Sequence, residues 1–220
     1  NHFLVVLPYA LGKWDFSEYD AVISSSSALV KSIQTPPDTF HLCYCHSPAR
    51  YLWVESDDYV RSVRANPLLK FVAPYFLQKL RAWDRATADR PDAYLANSQN
   101  VQDRIKRFYG RDSEVFYPFV EVEKFLNAPK EPFFLTGGRL VPYKRFDVAV
   151  RAFNKLGIPL VVFGSGPDSD RLQALAKGRN IQFVGRISDE EKARLFGQAR
   201  AFVNPQEEDF GITMIEALAS

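Results

Sequence analysis

The second half of the chain repeats one unit, a short apolar run followed by a glycine turn and an amphipathic segment. Phe133-Phe134-Leu135-Thr136 ends at Gly137-Gly138, and FDVAVRAFNKL (146–156) carries apolar residues at helical spacing until Gly157 and Pro159 stop it. PLVVF, the turn GSGP and DSDRLQALAK repeat the pattern. IQFVG and SDEEKARLFGQA repeat it again, with Ser188 and Glu191 spaced as a capping box. AFVN, PQEEDFG and a helix from Ile212 complete the series. Strands and helices alternating in this way predict a parallel, doubly wound sheet with right-handed crossovers.

The first half is a looser version. DAVISSS, FHLCYC, AYLANS and EVFYP read as strands, and helices are predicted at about 67–88 and 98–107. Between the halves, VEVEKFLNAPKEP is charged and proline-bearing, which suits a linker. A boundary is expected near Asn127, giving domains 1–127 and 128–220. The expected class is α/β, two Rossmann-like parallel-sheet domains facing a cleft. Ligands of open parallel sheets bind outside the carboxyl ends of the strands. Candidate residues are therefore sought just after strands.

Composition narrows the partners. With 220 residues, 46% of them hydrophobic, the chain can bury a real core, and a net charge of +2 gives no general attraction for nucleic acid. The run HFLVVLPYAL is too short and too interrupted to span a bilayer. Cys43 and Cys45, two apart in a predicted strand with His41, read as reduced core thiols rather than a disulfide framework or a metal site. A cytoplasmic protein is expected, with the inner face of the membrane as an alternative location. The last residues, EALAS, lie inside a helical pattern with no Gly or Pro stop, so a chain cut at both ends is expected.

Three stretches carry chemistry. In GGRLVPYKR, Gly138 precedes Arg139 and Lys144, a pair of cations in a turn before a helix. That arrangement suits a diphosphate, the guanidinium as a planar fork and the amine as a point charge. In GSGP, Gly164, Ser165 and Gly166 form a tight turn at a helix start, without the full dinucleotide fingerprint. PQEEDFGITMIEA places Glu208 and Glu216 eight positions apart. In one continuous helix they would stand roughly 12 Å apart along the axis, too far to hold one small group. Pro205 and Gly211 argue instead for a turn holding Glu208 and a helix holding Glu216. Carboxylates accept from vicinal hydroxyls, so the two could grip opposite ends of a nucleotide sugar around a diphosphate held by the cations. Glu207 is expected in solvent.

Together, GR-x4-K, GSGP and E-D-F-G-x4-E resemble the donor-binding half of the family-4 retaining glycosyltransferases (glycosyl transferases group 1) of the GT-B fold. YCHSPARYLW, LRAWDRATADRPDAYLANSQNV and YPFVEVEKF in the first half resemble its mannosyltransferase-like subgroup. The resemblance implies retaining, metal-independent transfer of a hexose, with GDP-mannose the expected donor, to a glycan or lipid-linked acceptor in surface polysaccharide or glycolipid synthesis. It implies no cofactor. It also implies that Arg139 and Lys144 bind the donor diphosphate and stabilise the leaving group. Glu208 would contact the transferred sugar, with the backbone of Phe210, Gly211 and Ile212 beside it, and Glu216 would hold the ribose. His46 would lie across the cleft near the sugar, and Arg50 is the acceptor-side candidate.

Departures from the family pattern accompany these matches. The glycine-rich loop of the acceptor domain has no counterpart, and Phe119 and Glu121 stand where the family more often has Pro or Gly and Asp. Two other readings are weighed: a Rossmann-type oxidoreductase, disfavoured because GSGPDS lacks the third glycine, and a non-catalytic GT-B nucleotide-sugar-binding protein. The basic and aromatic stretch from Arg61 to Arg85 is a candidate for peripheral membrane association, although Pro74 is expected to interrupt its helix.

Overall fold

The computed structural model describes residues 7–54, 67–125 and 128–220. The chain divides into two compact units, Asn1–Pro118 and Phe119–Ser220, each described by itself. The boundary expected near Asn127 lies outside the described residues.

In the first unit, strands β1 (Ala21–Ser26), β2 (Phe40–Cys45), β3 (Ala93–Ala96) and β4 (Glu114–Val115) pair in parallel in that order. Helix α1 (Leu7–Leu11) precedes β1, and α2 (Arg50–Trp53) and α3 (Pro67–Ala86) lie between β2 and β3. Helix α4 (Gln99–Tyr109) connects β3 to β4. Its ends are written in the sequence: the Ser98 side chain accepts from the Val101 N–H, and Gly110 closes the helix in the left-handed conformation.

Helix α3 runs through Pro74 without ending. A proline there removes the donor to the carbonyl of residue 70 and crowds that carbonyl, and packing against the rest of the unit outweighs both costs. Residues 61–66 of the basic and aromatic stretch lie outside the described residues. Among the described residues, no helix is long and apolar enough to cross a membrane.

The inward face of β2 presents His41, Cys43 and Cys45 to the core with Tyr94, Val101, Ile105 and Tyr109. His41 is fully buried, its Nε2 2.8 Å from Ser24 Oγ. The face that includes Ile23 and Phe40 leaves both of those side chains exposed.

A buried charge cluster ties the helices to this core. The Lys31 amine, 1% exposed, lies 3.1 Å from Asp84 Oδ1, a carboxylate with no exposed surface. The same amine donates to the Asp84 carbonyl at 2.7 Å and to Thr87 Oγ1 at 3.2 Å, and it sits over the Tyr109 ring. Asp84 Oδ2 accepts from Trp53 Nε1 at 2.7 Å and from the Tyr109 hydroxyl at 3.0 Å. Burial holds the Lys31 amine below its ordinary pKa, an effect that the Asp84 charge opposes. Nothing in the hydrophobic pattern announced this cluster, because a lysine in SALVKSIQ reads as a surface residue.

In the second unit, β5 (Phe134–Arg139), β6 (Leu160–Ser165), β7 (Ile181–Gly185) and β8 (Ala201–Phe202) form a parallel sheet in the order β7-β6-β5-β8. The helices are α5 (Phe146–Leu156), α6 (Ser169–Leu175), α7 (Asp189–Gln198) and α8 (Ile212–Leu218). Alternation along the strands divides the core into two layers. Leu160 and Val162 pack with Phe146, Val150, Phe153 and Leu172, whereas Leu135 and Phe163 pack with Leu195 and Phe196. Helices therefore cover both faces, as parallel sheets require. Ser188 caps α7 by accepting from the Glu191 N–H, but the Glu191 carboxylate turns to Arg194 and only half of the expected capping box forms.

Two outcomes follow for the first unit. Asp84→Ala leaves an unpaired cation in the core and is expected to cost about 3–5 kcal/mol, with Lys31→Met/Asp84→Leu losing less, both measured by denaturant unfolding. His41 contributes a pH dependence, since burial depresses its folded pKa below the ordinary 6.5. The unfolded chain then binds the proton more readily, so stability is full above pH 6.5 and declines as the pH falls through and below it. His41→Gln is expected to flatten that part of a stability-versus-pH curve.

Candidate functional site

The carboxyl ends of β5, β6 and β8 gather the second-unit candidates. β5 and β6 pair with Gly138 opposite Gly164 and Arg139 opposite Ser165. Gly164 has φ +104°, and a β-carbon there would stand 1.8 Å from the Gly138 carbonyl oxygen. A β-carbon on Gly166 would likewise meet the Leu140 carbonyl. Backbone contact inside the sheet therefore accounts for the GSGP glycines without invoking a ligand. Leu140 continues the pairing, its N–H donating to the Ser165 carbonyl at 3.0 Å, and its buried side chain plugs the turn. Arg139 and Ser165 emerge side by side, both exposed.

After Leu140 the chain enters a single 3-10 turn, Pro142–Lys144, and Arg145 takes a left-handed φ of 53° before α5 begins. Proline at the start of the turn and the left-handed residue at its end reverse the chain within a few residues. Lys144 is thereby presented to the loop following β8, its Nζ 3.4 Å from Glu208 Oε1, with both side chains one-fifth exposed. The Gln206 side-chain amide also donates to Glu208 Oε1. Thr136 fastens β5 to the same loop by donating to the Val203 carbonyl at 2.7 Å.

Gly211 divides the acidic stretch. Its φ of +81° makes it the left-handed residue that starts α8 at Ile212, and a β-carbon there would press on Met214 and approach Glu208 Cβ. Glu208 and Phe210 thus lie in the loop, while Glu216 lies inside the helix. Glu216 is not drawn to the 139–144 turn. Its Oε2 lies 2.5 Å from the Lys192 amine on α7, and that amine sits 5.9 and 6.0 Å from the ring centroids of Phe125 and Phe196. Neither Lys192 nor Gln206 belongs to a recognisable motif. An acid at position 216 and a base on the preceding helix could be matched only once the packing of α7 on α8 is known.

In the first unit, His46 follows the end of β2, its N–H donating to the Ser26 carbonyl at 2.8 Å. Its Nε2 is 2.8 Å from Ser25 Oγ, and its ring meets the Tyr44 ring edge-on at 5.1 Å. Ser25 and Tyr44 are register partners on β1 and β2, so the sheet itself builds the seat of the imidazole. Arg50 is the first residue of α2. That helix is held from α3 by Arg81, which donates to the Leu52 carbonyl at 2.8 Å, and by Asp84 through Trp53. Among the described residues, no group of three or more His, Cys, Asp or Glu side chains is arranged to hold a metal.

The family described as "Glycosyl transferases group 1" matches residues 120–220. D-rhamnosyltransferase WbpZ of Pseudomonas aeruginosa is 31% identical over 166 residues, which are 70% of this chain and 43% of that protein. Residues 120–220 belong to the group 1 glycosyltransferases. A second relative, O-antigen chain mannosyltransferase C of Escherichia coli, is 29% identical over 190 residues, 81% of this chain and 50% of that protein. The chain thus spans about half the length of the curated relatives it matches. Sucrose-phosphate synthase from Thermosynechococcus elongatus superposes with a TM-score of 0.66 at 18% identity, over 98% of this chain and 57% of that one. The fold of this chain is GT-B, with a parallel α/β sheet in each unit.

Gly164→Ala, which sets a β-carbon against the Gly138 carbonyl, is expected to cost more than about 2 kcal/mol. The measurement is thermal unfolding followed by a probe in the second unit.

Proposed function

We propose that the protein containing this chain is a retaining, metal-independent glycosyltransferase. It moves a hexose, mannose in our reading, from a nucleoside diphosphate sugar to a glycan or lipid-linked acceptor of a surface polysaccharide or glycolipid. The observation that carries the reading is the meeting of Lys144 with Glu208, with Arg139 at the carboxyl end of β5, within the segment that matches the family. The two relatives, a rhamnosyltransferase and a mannosyltransferase by name, support a hexose or deoxyhexose donor. GDP-mannose follows from the subgroup resemblance. The absence of a membrane-spanning helix among the described residues is compatible with work at the cytoplasmic face of a membrane.

The proposed chemistry assigns a separate task to each residue. As the bond between sugar and diphosphate stretches, positive charge grows on the sugar and negative charge on the leaving phosphate. Arg139 and Lys144 stabilise that negative charge where it develops. Glu208 accepts from hydroxyls of the transferred sugar, backed by the loop through Phe210, Gly211 and Ile212, and Lys144 and Gln206 keep its carboxylate in place. Gly138, Gly164 and Ser165 shape the backbone beside the phosphates. Glu216 accepts from the ribose. In the first unit, His46 is the proposed contact for the sugar and Arg50 for a phosphate of the acceptor.

Titration calorimetry of the intact protein with GDP-mannose, UDP-glucose and UDP-GlcNAc should show binding of at least one, GDP-mannose in our reading. Glu216→Ala is expected to weaken that binding about tenfold or more, the loss of a hydrogen bond to a charged group. Lys144→Ala is expected to lower the transfer rate about a hundredfold with a smaller effect on donor affinity. If none of the three donors binds, or if Glu216→Ala leaves affinity unchanged, the site assignment fails.

A further inference from the structure

The ion pair between Lys192 and Glu216 has no place in the motifs that point to a donor site, yet it joins one of their residues to a different helix. The Glu216 side chain is 12% exposed and that of Lys192 is 22% exposed, so most of both charges is withdrawn from water. A carboxylate withdrawn from water in this way needs a cation or donors facing it. Lys192 is that cation: Oε2 lies 2.5 Å from its amine. The Phe125 and Phe196 rings flank the amine and limit where it can go. Among the described residues nothing holds Oε1.

We propose that Lys192 is a positioning residue for the nucleoside end of the donor: by fixing Glu216 Oε2 against α7, it leaves Oε1 to accept from the 2′,3′-diol of the ribose. The inference rests on the donor reading given above, and it adds a residue that the resemblance does not supply. Lys192 makes no contact with the nucleotide in this scheme. Its effect passes through Glu216, whose carboxylate it holds against α7. A lysine fourth in α7 is suited to this, because the first turn of that helix already carries Asp189, Glu190 and Glu191 and so tolerates a neighbouring cation.

The scheme has a signature that a purely structural pair would lack. If Glu216 is aimed at the ribose by Lys192, removing the amine should harm recognition of the diol and leave recognition of the diphosphate intact. The experiment compares GDP with 2′-deoxy-GDP, and UDP with 2′-deoxy-UDP, by titration calorimetry on the intact protein. It uses the wild type, Lys192→Met and Lys192→Arg, with melting temperatures recorded for each. Wild type is expected to prefer the ribonucleotide about tenfold or more. Lys192→Met should shrink that preference to within about twofold to threefold by weakening the ribonucleotide alone, and Lys192→Arg should restore most of it. The proposal is overturned if Lys192→Met keeps the wild-type preference. It is equally overturned if that variant loses ribo and deoxy forms in equal proportion, which marks a merely structural pair, or if Lys192→Arg behaves as Lys192→Met. A wild type that binds neither nucleotide overturns the donor reading itself, and the role of Lys192 with it.

Discussion

The backbone contact between Gly138 and Gly164 sets the geometry of the second unit. Two adjacent strands of a parallel sheet end together there, and the carbonyl of one occupies the space that a side chain on the other would need. Because that space is filled by backbone, Arg139 and Ser165 leave the sheet at the same level, and the chain after Arg139 must turn at once over the buried Leu140. The turn through Pro142–Lys144 then carries the Lys144 amine to Glu208. A small change in that crossing would move a cation whose proposed work depends on standing near a developing charge. Steric exclusion by a carbonyl thus does more to place the charges of this unit than any attraction among them.

The two carboxylates of the acidic stretch are held by different means. Glu208 is gripped in a loop by Lys144 and Gln206, in a position that depends on the left-handed Gly211. Glu216 is carried by a helix and held from the neighbouring helix by Lys192. Each acid therefore has its own lysine, and each lysine comes from a separate β-α unit. Separate partners for the two acids suit contacts acting on separate parts of one ligand better than a shared-proton pair.

Much of this could be read from residue order, and the reasons are local. The β-α repeat declares itself because each apolar run is bounded by glycine, proline or a capping residue, and Ser98, Gly110 and Gly157 stand where helices α4 and α5 begin or end. The division of PQEEDFGITMIEA into turn and helix follows from Gly211 alone. What could not be read are pairings across distance. Lys192 with Glu216 depends on how α7 packs on α8, and Lys31 with Asp84 depends on α3 delivering a carboxylate to the turn after β1. Pro74 shows the opposite failure, a strong local signal overridden by the packing of the twenty-residue helix around it. The Ser25 and Tyr44 seat of His46 was within reach, since it needs only the register of β1 on β2.

The Lys31 cluster also bears on how the nascent chain matures. Its partners lie 53 and 56 residues further along, at Asp84 and Thr87. Contacts of long sequence separation are late and slow to form. The unit made first is therefore not free to finish as it emerges. While a growing chain has yet to supply α3 and α4, Lys31 remains a hydrated ammonium in an unsealed core, exposing the apolar strand face and its two thiols to whatever escorts the chain from the ribosome.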